Sequence, residues 1–303
     1  MTQKIKWLLF HEPAELFIRT ARHFEQELNA LTDGAYEFEI LELADYETKY
    51  LNGNRCDPIT ELKEGRVQMS QIYINNLARA NVTNFLALGL PFLFRDHAHA
   101  ARVFEGEIGA ELLENIKERI GIKGLSFTYS GGYKCMAVNR SIKQVSDFAG
   151  LKYKVRPNAV SSSIFDALGA TPAEKSDIDI ADTTLPRYHA DAREDQTYAI
   201  NTGHAMYLTT ILTNNEMFNA MSEEHQAAFV KAAKIAASAE RTQSVQDANE
   251  IATTPTLQRE RGINEFITWN ESQLEELRAR LIPVLNSWKA YFPNDLVNRI
   301  QAC

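Results

Sequence analysis

Residues 5–43 read IKWLLFHEPAELFIRTARHFEQELNALTDGAYEFEILEL, and the change of periodicity within them decides the fold class. Residues 5–10 are a short apolar, β-prone run. From about Pro13 the spacing changes: Leu16, Ala21, Phe24 and Leu28 recur at helical intervals and predict one buried stripe. Thr32-Asp33-Gly34 is a turn signal. Tyr36, Phe38, Ile40 and Leu41 then predict a second strand over 36–43. A helix over 57–65 and a third strand over 67–74 continue the alternation. Strands alternating with helices imply a largely parallel sheet in an α/β lobe.

A second α/β section opens near Gly124. Residues 125–129 and 134–138 read as strands separated by Gly131-Gly132. A short helix or turn over 146–150 leads to a strand over 151–156, which Pro157 ends. A helix over 159–169, a short strand over 198–201 and an apolar strand over 207–213 follow. The last third changes character. Ser222 is placed as an N-cap, with Glu223 and Glu224 in the first turn. Alanine-rich helical sequence continues from there to about Thr253. That length exceeds an ordinary globular helix and reads as a beam packing on more than one lobe. A further helix over 271–285 is followed by Trp288, Tyr291 and Phe292, read as anchors of the chain end.

Composition narrows the function. With 303 residues, 45% of them hydrophobic, the chain can bury one large core or two medium ones. A formal net charge of −8 repels nucleic acid and anionic lipid, so neither is expected as a partner. An anionic ligand would need a local positive site. No run approaches the roughly 18 apolar residues that cross a bilayer, so the chain is expected not to span the membrane. The start lacks the apolar core of a signal peptide, which reads as either a cytosolic chain or a mature, trimmed one. Cys56, Cys135 and Cys303 show no metal-binding spacing and read as free thiols or one incidental disulfide. No cofactor motif is present: there is no P-loop, no GxGxxG after a strand and no GxSxG elbow. His11-Glu12 does not continue into HExxH, because position 15 is Glu15. Asp177, Asp179 and Asp182 lack the glycine and distal glutamate of a calcium loop and read as a solvated acidic turn.

Several stretches, in order along nearly the whole chain, resemble the DctP-type solute-binding proteins of tripartite ATP-independent periplasmic (TRAP) transporters. They are Leu90-Pro91-Phe92-Leu93-Phe94-Arg95-Asp96 with His99, Gly106 and Gly109; Asn139-Arg140-Ser141-Ile142-Lys143 with Asp147 to Lys152; Lys154-Val155-Arg156-Pro157; Leu168-Gly169-Ala170-Thr171-Pro172; and Asn215, Phe218 and Met221-Ser222-Glu223-Glu224. The resemblance implies an α/β, two-lobed, periplasmic-binding-protein-like (venus flytrap) fold with a long helix spanning both lobes. It places lobe I at 1–124 plus 205–253 and lobe II at 125–204 plus 254–303, with the ligand cleft between them. It implies a periplasmic receptor, not an enzyme, that hands a small organic acid to TRAP membrane subunits. The absent leader then reads as trimming, with Met1 added. Two alternatives use the same cleft: a lyase or hydrolase with His11, Glu12 or His204 as acid and base, or a sensory binding protein.

The resemblance also selects site residues. Arg156, ending its strand, is placed as the bidentate grip on a carboxylate. Lys134 falls where many relatives carry a second arginine; a lysine is a point charge, and the alternative for it is a solvated strand residue. His11 and Glu12 follow the first strand, and Tyr73 and Asn75 follow the third, where ligands of open α/β lobes bind; the alternative is a helix cap or a turn-satisfying group. Asp191-Ala192-Arg193-Glu194-Asp195 stands where relatives carry DGQEN, and the helix after it is missing, which brings Thr197 and Tyr198 close behind. Asp195 and Thr197 are therefore expected at the ligand, with Asp195 meeting hydroxyl or ammonium donors. A sugar acid or an amphoteric acid is favoured over a dicarboxylate.

Overall fold

Strand β1 (Gln3–Leu9) occupies the first apolar run, with β2 (Tyr36–Glu42) and β3 (Met69–Tyr73) after it. The structure, a computed structural model, describes residues 2–154, 158–174 and 177–303. The later strands are β4 (Ile122–Tyr133), β5 (Cys135–Val138), β6 (Lys152–Lys154), β7 (Thr171–Ala173), β8 (Ile180–Thr183), β9 (Tyr198–Ile200), β10 (Met206–Asn214) and β11 (Glu265–Ile267). They form a five-stranded sheet in the order β2-β1-β3-β10-β4 and a six-stranded sheet in the order β11-β9-β5-β8-β6-β7. The chain divides into two units. Unit 1 is Met1–Thr83, Phe104–Tyr129 and Leu208–Thr242; unit 2 is Asn84–Val103, Ser130–Tyr207 and Gln243–Cys303.

In unit 1, β1 lies parallel to β2, with Ile5 opposite Phe38, and parallel to β3, with Trp7 opposite Met69. The expected parallel sheet is thus present at its start. It becomes mixed at β10, which runs antiparallel to β3. The helix Ala14–Leu31 buries Leu16, Ala21, Phe24 and Leu28, the stripe its spacing predicts. Phe24 meets Trp7 edge-on at 5.3 Å and Phe229 at 5.6 Å. Phe229 comes from the long helix Glu223–Thr253, which adds Ala228, Ala232, Ala233, Ala236 and Ala237 to the same core. Short alanine side chains let that helix approach closely, while the large side chains supply the energy, about 1.5–3 kcal/mol for each one fully buried. The same helix buries charges only with partners. Arg19 donates to both carboxylate oxygens of Glu240, and Arg241 Nη1 donates to the Phe127 carbonyl at 2.8 Å. Ser222 caps this helix as expected, accepting from His225 N. A helix the periodicity did not reveal, Leu43–Leu51, follows β2 at once and ends on Asn52 in the left-handed region.

In unit 2, β5 pairs antiparallel with β8 and with β9, and β6 runs parallel to β8 with Tyr153 opposite Ile180. Its core gathers Cys135, Ala137, Leu185, Tyr188, Ala199, Ile251 and Ile263. The glycine pair expected to separate two strands does not break β4, which continues through both to Tyr133. Gly131 has φ +90°, and a Cβ there would lie 2.3 Å from Thr184 Oγ1 and 2.8 Å from Pro186 Cδ. The glycine therefore serves a close approach rather than a turn.

The partition differs from the expected lobes. The first lobe gives up 84–103, 205–207 and 243–253 to unit 2 and gains 125–129. Hydrogen bonds explain the first change: Phe92 N donates to the His204 carbonyl, Tyr133 Oη to the Phe94 carbonyl, and His99 Nε2 contacts the Ile300 carbonyl. Of the three aromatic anchors, Phe292 is buried, but Tyr291 is 57% exposed.

Candidate functional site

The functional candidates fall into separate groups, one at the carboxyl ends of β1 and β3 in unit 1 and one around β5 and β8 in unit 2. In unit 1, His11 follows β1, and its Nε2 accepts from Tyr73 N at 2.9 Å, which leaves the ring proton of the neutral form on Nδ1. Its ring packs against Phe10, Phe17 and Tyr73. Asn75 Nδ2 donates to the buried Tyr73 Oη at 2.8 Å. His11, Tyr73 and Asn75 thus form one connected group. Glu12 is exposed, and its Oε2 accepts from Ala14 N at the first turn of the helix, which is the capping alternative considered for it.

In unit 2, Lys134 links β4 to β5. Its main chain is fixed on both sides, N donating to the Ala205 carbonyl and O accepting from Gly203 N. The side chain is not solvated: Lys134 is 5% exposed, and Nζ lies 2.5 Å from Asp182 Oδ2. The antiparallel register puts Asp182 opposite Met136, on the strand beside it. Asp182 is therefore a buried pair partner rather than part of a solvated acidic turn. Asp179, the second of that group, accepts from Asn139 Nδ2, Arg140 Nη2 and Lys152 N.

A second cation stands beside this pair. Arg187 follows β8, is buried, and holds both oxygens of Asp191, four residues on, at 3.0 and 3.2 Å. Its Nη1 donates to Ser130 Oγ at 3.3 Å, and its guanidinium carbon lies 4.4 Å from the Tyr207 ring centre. Lys134 Nζ lies 5.7 Å from the same ring. Two cations, each matched to its own carboxylate, thus approach one aromatic ring. Beside them His204 is buried, with Nδ1 2.8 Å from Thr202 Oγ1. Burial first, and the Lys134 charge second, hold its pKa down at about 4. Burial likewise pushes the Cys135 thiol up to about 12, so it is an inert thiol.

Arg156 lies outside the described residues. The chain leaves β6 at Lys154 and is described again from Asn158, whose side chain caps the helix Ala159–Ala167. Asp195 is exposed and accepts from its near neighbour Arg193 at 3.0 Å. At the surface its carboxylate thus has a donor from the chain itself. Thr197 uses its carbonyl to accept from Asn264 N and Glu265 N and so ties the loop to the start of β11. The sequence reading did not single out Arg187 or Tyr207, and it named Asp191 only as part of the altered segment. The Arg187–Asp191 spacing of i,i+4 was the available signal.

The family described as "Bacterial extracellular solute-binding protein, family 7", DctP, matches residues 11–180 and 183–291. The chain belongs to this family. It is 30% identical over 152 residues to the C4-dicarboxylate-binding periplasmic protein DctP of Rhodobacter capsulatus, covering 50% of this chain and 43% of that one. It is 27% identical over 213 residues to the 2,3-diketo-L-gulonate-binding periplasmic protein YiaO of Escherichia coli K12, covering 66% and 64%. The matches thus span less than two thirds of either relative. A crystal structure of a TRAP periplasmic solute binding protein from Polaromonas sp. JS666, bound to D-erythronate, aligns with a TM-score of 0.81 at 22% identity over 99% of both chains. The fold of this DctP-family chain is therefore the TRAP solute-binding fold that the motifs implied. Among the described residues no helix is long and apolar enough to cross a membrane.

Proposed function

We propose that the chain is the periplasmic receptor of a TRAP transporter, that it binds a small hydroxylated monocarboxylic acid through Arg156, and that it delivers the acid to the membrane subunits without turning it over. The observation that carries the ligand class is the buried Lys134–Asp182 pair. A lysine whose charge is already matched offers little to a second carboxylate. An unmatched anion brought against a buried ion pair is penalised by desolvation. A hydroxyl carries a much smaller penalty, which a hydrogen bond donated to a carboxylate oxygen of Asp182 would offset. The reading agrees with the hydroxy acid in the Polaromonas structure and with the sugar-acid derivative that names the Escherichia coli relative. It departs from the dicarboxylate that names the Rhodobacter relative.

The histidines offered for acid–base chemistry support a binder. His11 Nε2 is occupied by Tyr73 N, and His204 titrates near 4, too low for a base at neutral pH. The test is calorimetric titration with D-erythronate and with succinate. Erythronate is expected to bind at least tenfold more tightly. Arg156→Ala is expected to weaken it by about 2–5 kcal/mol, the cost of removing one partner of a desolvated charge pair. Tighter binding of succinate would overturn the ligand class, and an unchanged affinity in the variant would overturn the grip.

A further inference from the structure

Unit 2 contains two hollows that meet at Tyr133 and Asn201. None of their lining residues belongs to the cluster of Lys134, Asp182, Arg187, Asp191 and Tyr207. The inner hollow, about 210 Å³, arises because the long helix turns Val245, Ala248, Asn249 and Ala252 toward Cys135 and Phe266. Their spacing puts them on one helical face, and their short side chains leave the space unfilled. The outer hollow, about 270 Å³, is walled by Phe92, Phe94, Tyr133 and Leu274, with Arg95 and Arg278 among its lining.

Three features separate this place from an incidental packing defect. The first is backbone strain. Phe92 has φ +53°, an unusual conformation for an aromatic residue, and the hydrogen bond from its N to the His204 carbonyl at 2.8 Å holds it there. Such residues cluster at ligand clamps and active sites. The second is the cationic side. The Arg278 guanidinium carbon lies 5.8 Å from the Phe92 ring centre, and its ion pair with Glu271, at 3.2 Å, is solvent-exposed on both sides. Arg95 turns its guanidinium to main-chain oxygens of Gln301 and Cys303. The third is polarity at the junction. The exposed carboxamides of Asn201 and Asn249 line the inner hollow, and Asn201 also lines the outer one. Tyr133 divides the hollows with its ring 4.9 Å from that of His97 and its hydroxyl on the Phe94 carbonyl.

We propose that this double hollow is a second ligand site, and that it takes a small aromatic carboxylate carrying a phenolic hydroxyl. The carboxylate sits at Arg278, the ring lies beside Phe92 and Tyr133, and the hydroxyl reaches the carboxamides of Asn201 and Asn249. A guanidinium that already faces an aromatic ring matches a planar anion well, since it can pair with the carboxylate and stack on the flat body together. Aromatic side chains set beside guanidinium and carboxamide groups suit a ligand with an apolar middle and two polar ends.

The test is calorimetric titration of the full chain with 4-hydroxybenzoate, benzoate and phenol, alongside D-erythronate. 4-Hydroxybenzoate is expected to bind, benzoate at least fivefold more weakly, and phenol not measurably. Arg278→Gln, at an exposed side chain, is expected to leave the melting temperature unchanged and to weaken 4-hydroxybenzoate tenfold or more. Arg278→Lys restores part of that loss. Arg156→Ala leaves 4-hydroxybenzoate binding as it was, and Arg278→Gln leaves erythronate binding as it was. No binding of 4-hydroxybenzoate at millimolar concentration overturns the site. So does binding that disappears in Arg156→Ala and persists in Arg278→Gln, since the compound would then be occupying the acid grip.

Discussion

His204 shows how a single buried side chain carries a pH dependence. Its pKa in the folded chain, about 4, lies below the value of about 6.5 for an exposed histidine. Between those values the unfolded chain binds a proton that the folded chain does not, so stability rises with pH across the window. The contribution is complete above about pH 6.5 and is lost as the pH falls toward 4, amounting to about 3 kcal/mol at most. Urea unfolding of wild type and His204→Gln at neutral pH and at about pH 4.5 isolates it. Wild type is expected to lose about 2 kcal/mol more than the variant over that interval, and equal losses would show that His204 is not the titrating group. The neighbouring residues explain what a sequence exposes and what it hides. Lys134 was visible through a motif, but its burial and its partner were not, because Asp182 is 48 positions away and reaches it only through strand pairing. Arg187 was hidden for the opposite reason. It stands in a short turn with no periodicity, and only the aspartate four residues later marks it.

Among the elements, β4 is where the periodicity misled. An apolar run followed by Gly131-Gly132 reads as a strand and a turn, yet the strand passes through both glycines. The reason lies outside the strand, in Thr184 and Pro186 pressing against Gly131, whose hydrogen-bonded frame includes Thr184 Oγ1 donating to the Ser130 carbonyl at 2.8 Å. Two substitutions separate backbone conformation from crowding. Gly203 also has positive φ, but nothing lies within 4 Å of a Cβ there. Gly203→Ala is therefore expected to cost only the left-handed conformation, about 1–2 kcal/mol. Gly131→Ala adds a steric clash and is expected to cost about 3 kcal/mol or more. Chemical unfolding of both variants checks the order, and a Gly131→Ala cost no larger than that of Gly203→Ala would show that Thr184 and Pro186 can yield. Where the elements read correctly, the cause was local. The helix Ala14–Leu31 carries its whole pattern within its own length, whereas β8 declares itself only through its neighbours β5 and β6.

For the whole molecule, net charge sets how an anion arrives. The chain carries a formal charge of −8, and among the described residues of unit 2 the buried cations Lys134 and Arg187 are each matched by a carboxylate. The long-range field that an approaching organic acid meets is therefore repulsive, and only at short range does the proposed Arg156 grip attract it. Screening lengths fall from about 30 Å at 0.01 M salt to about 8 Å at 0.15 M. Over that range the repulsion by distant surface carboxylates is largely removed, while a contact pair inside a partly desolvated site is much less affected. The association rate of a monocarboxylic acid is expected to rise about two- to threefold with salt, while the dissociation rate changes little. This is opposite to the behaviour of an electrostatically steered receptor. Stopped-flow measurements of intrinsic fluorescence with D-erythronate at several ionic strengths decide the matter. A rate that falls with salt would mean that a positive field outside the paired residues guides the ligand, and the matched pairs of unit 2 would then not account for the charge that the acid sees.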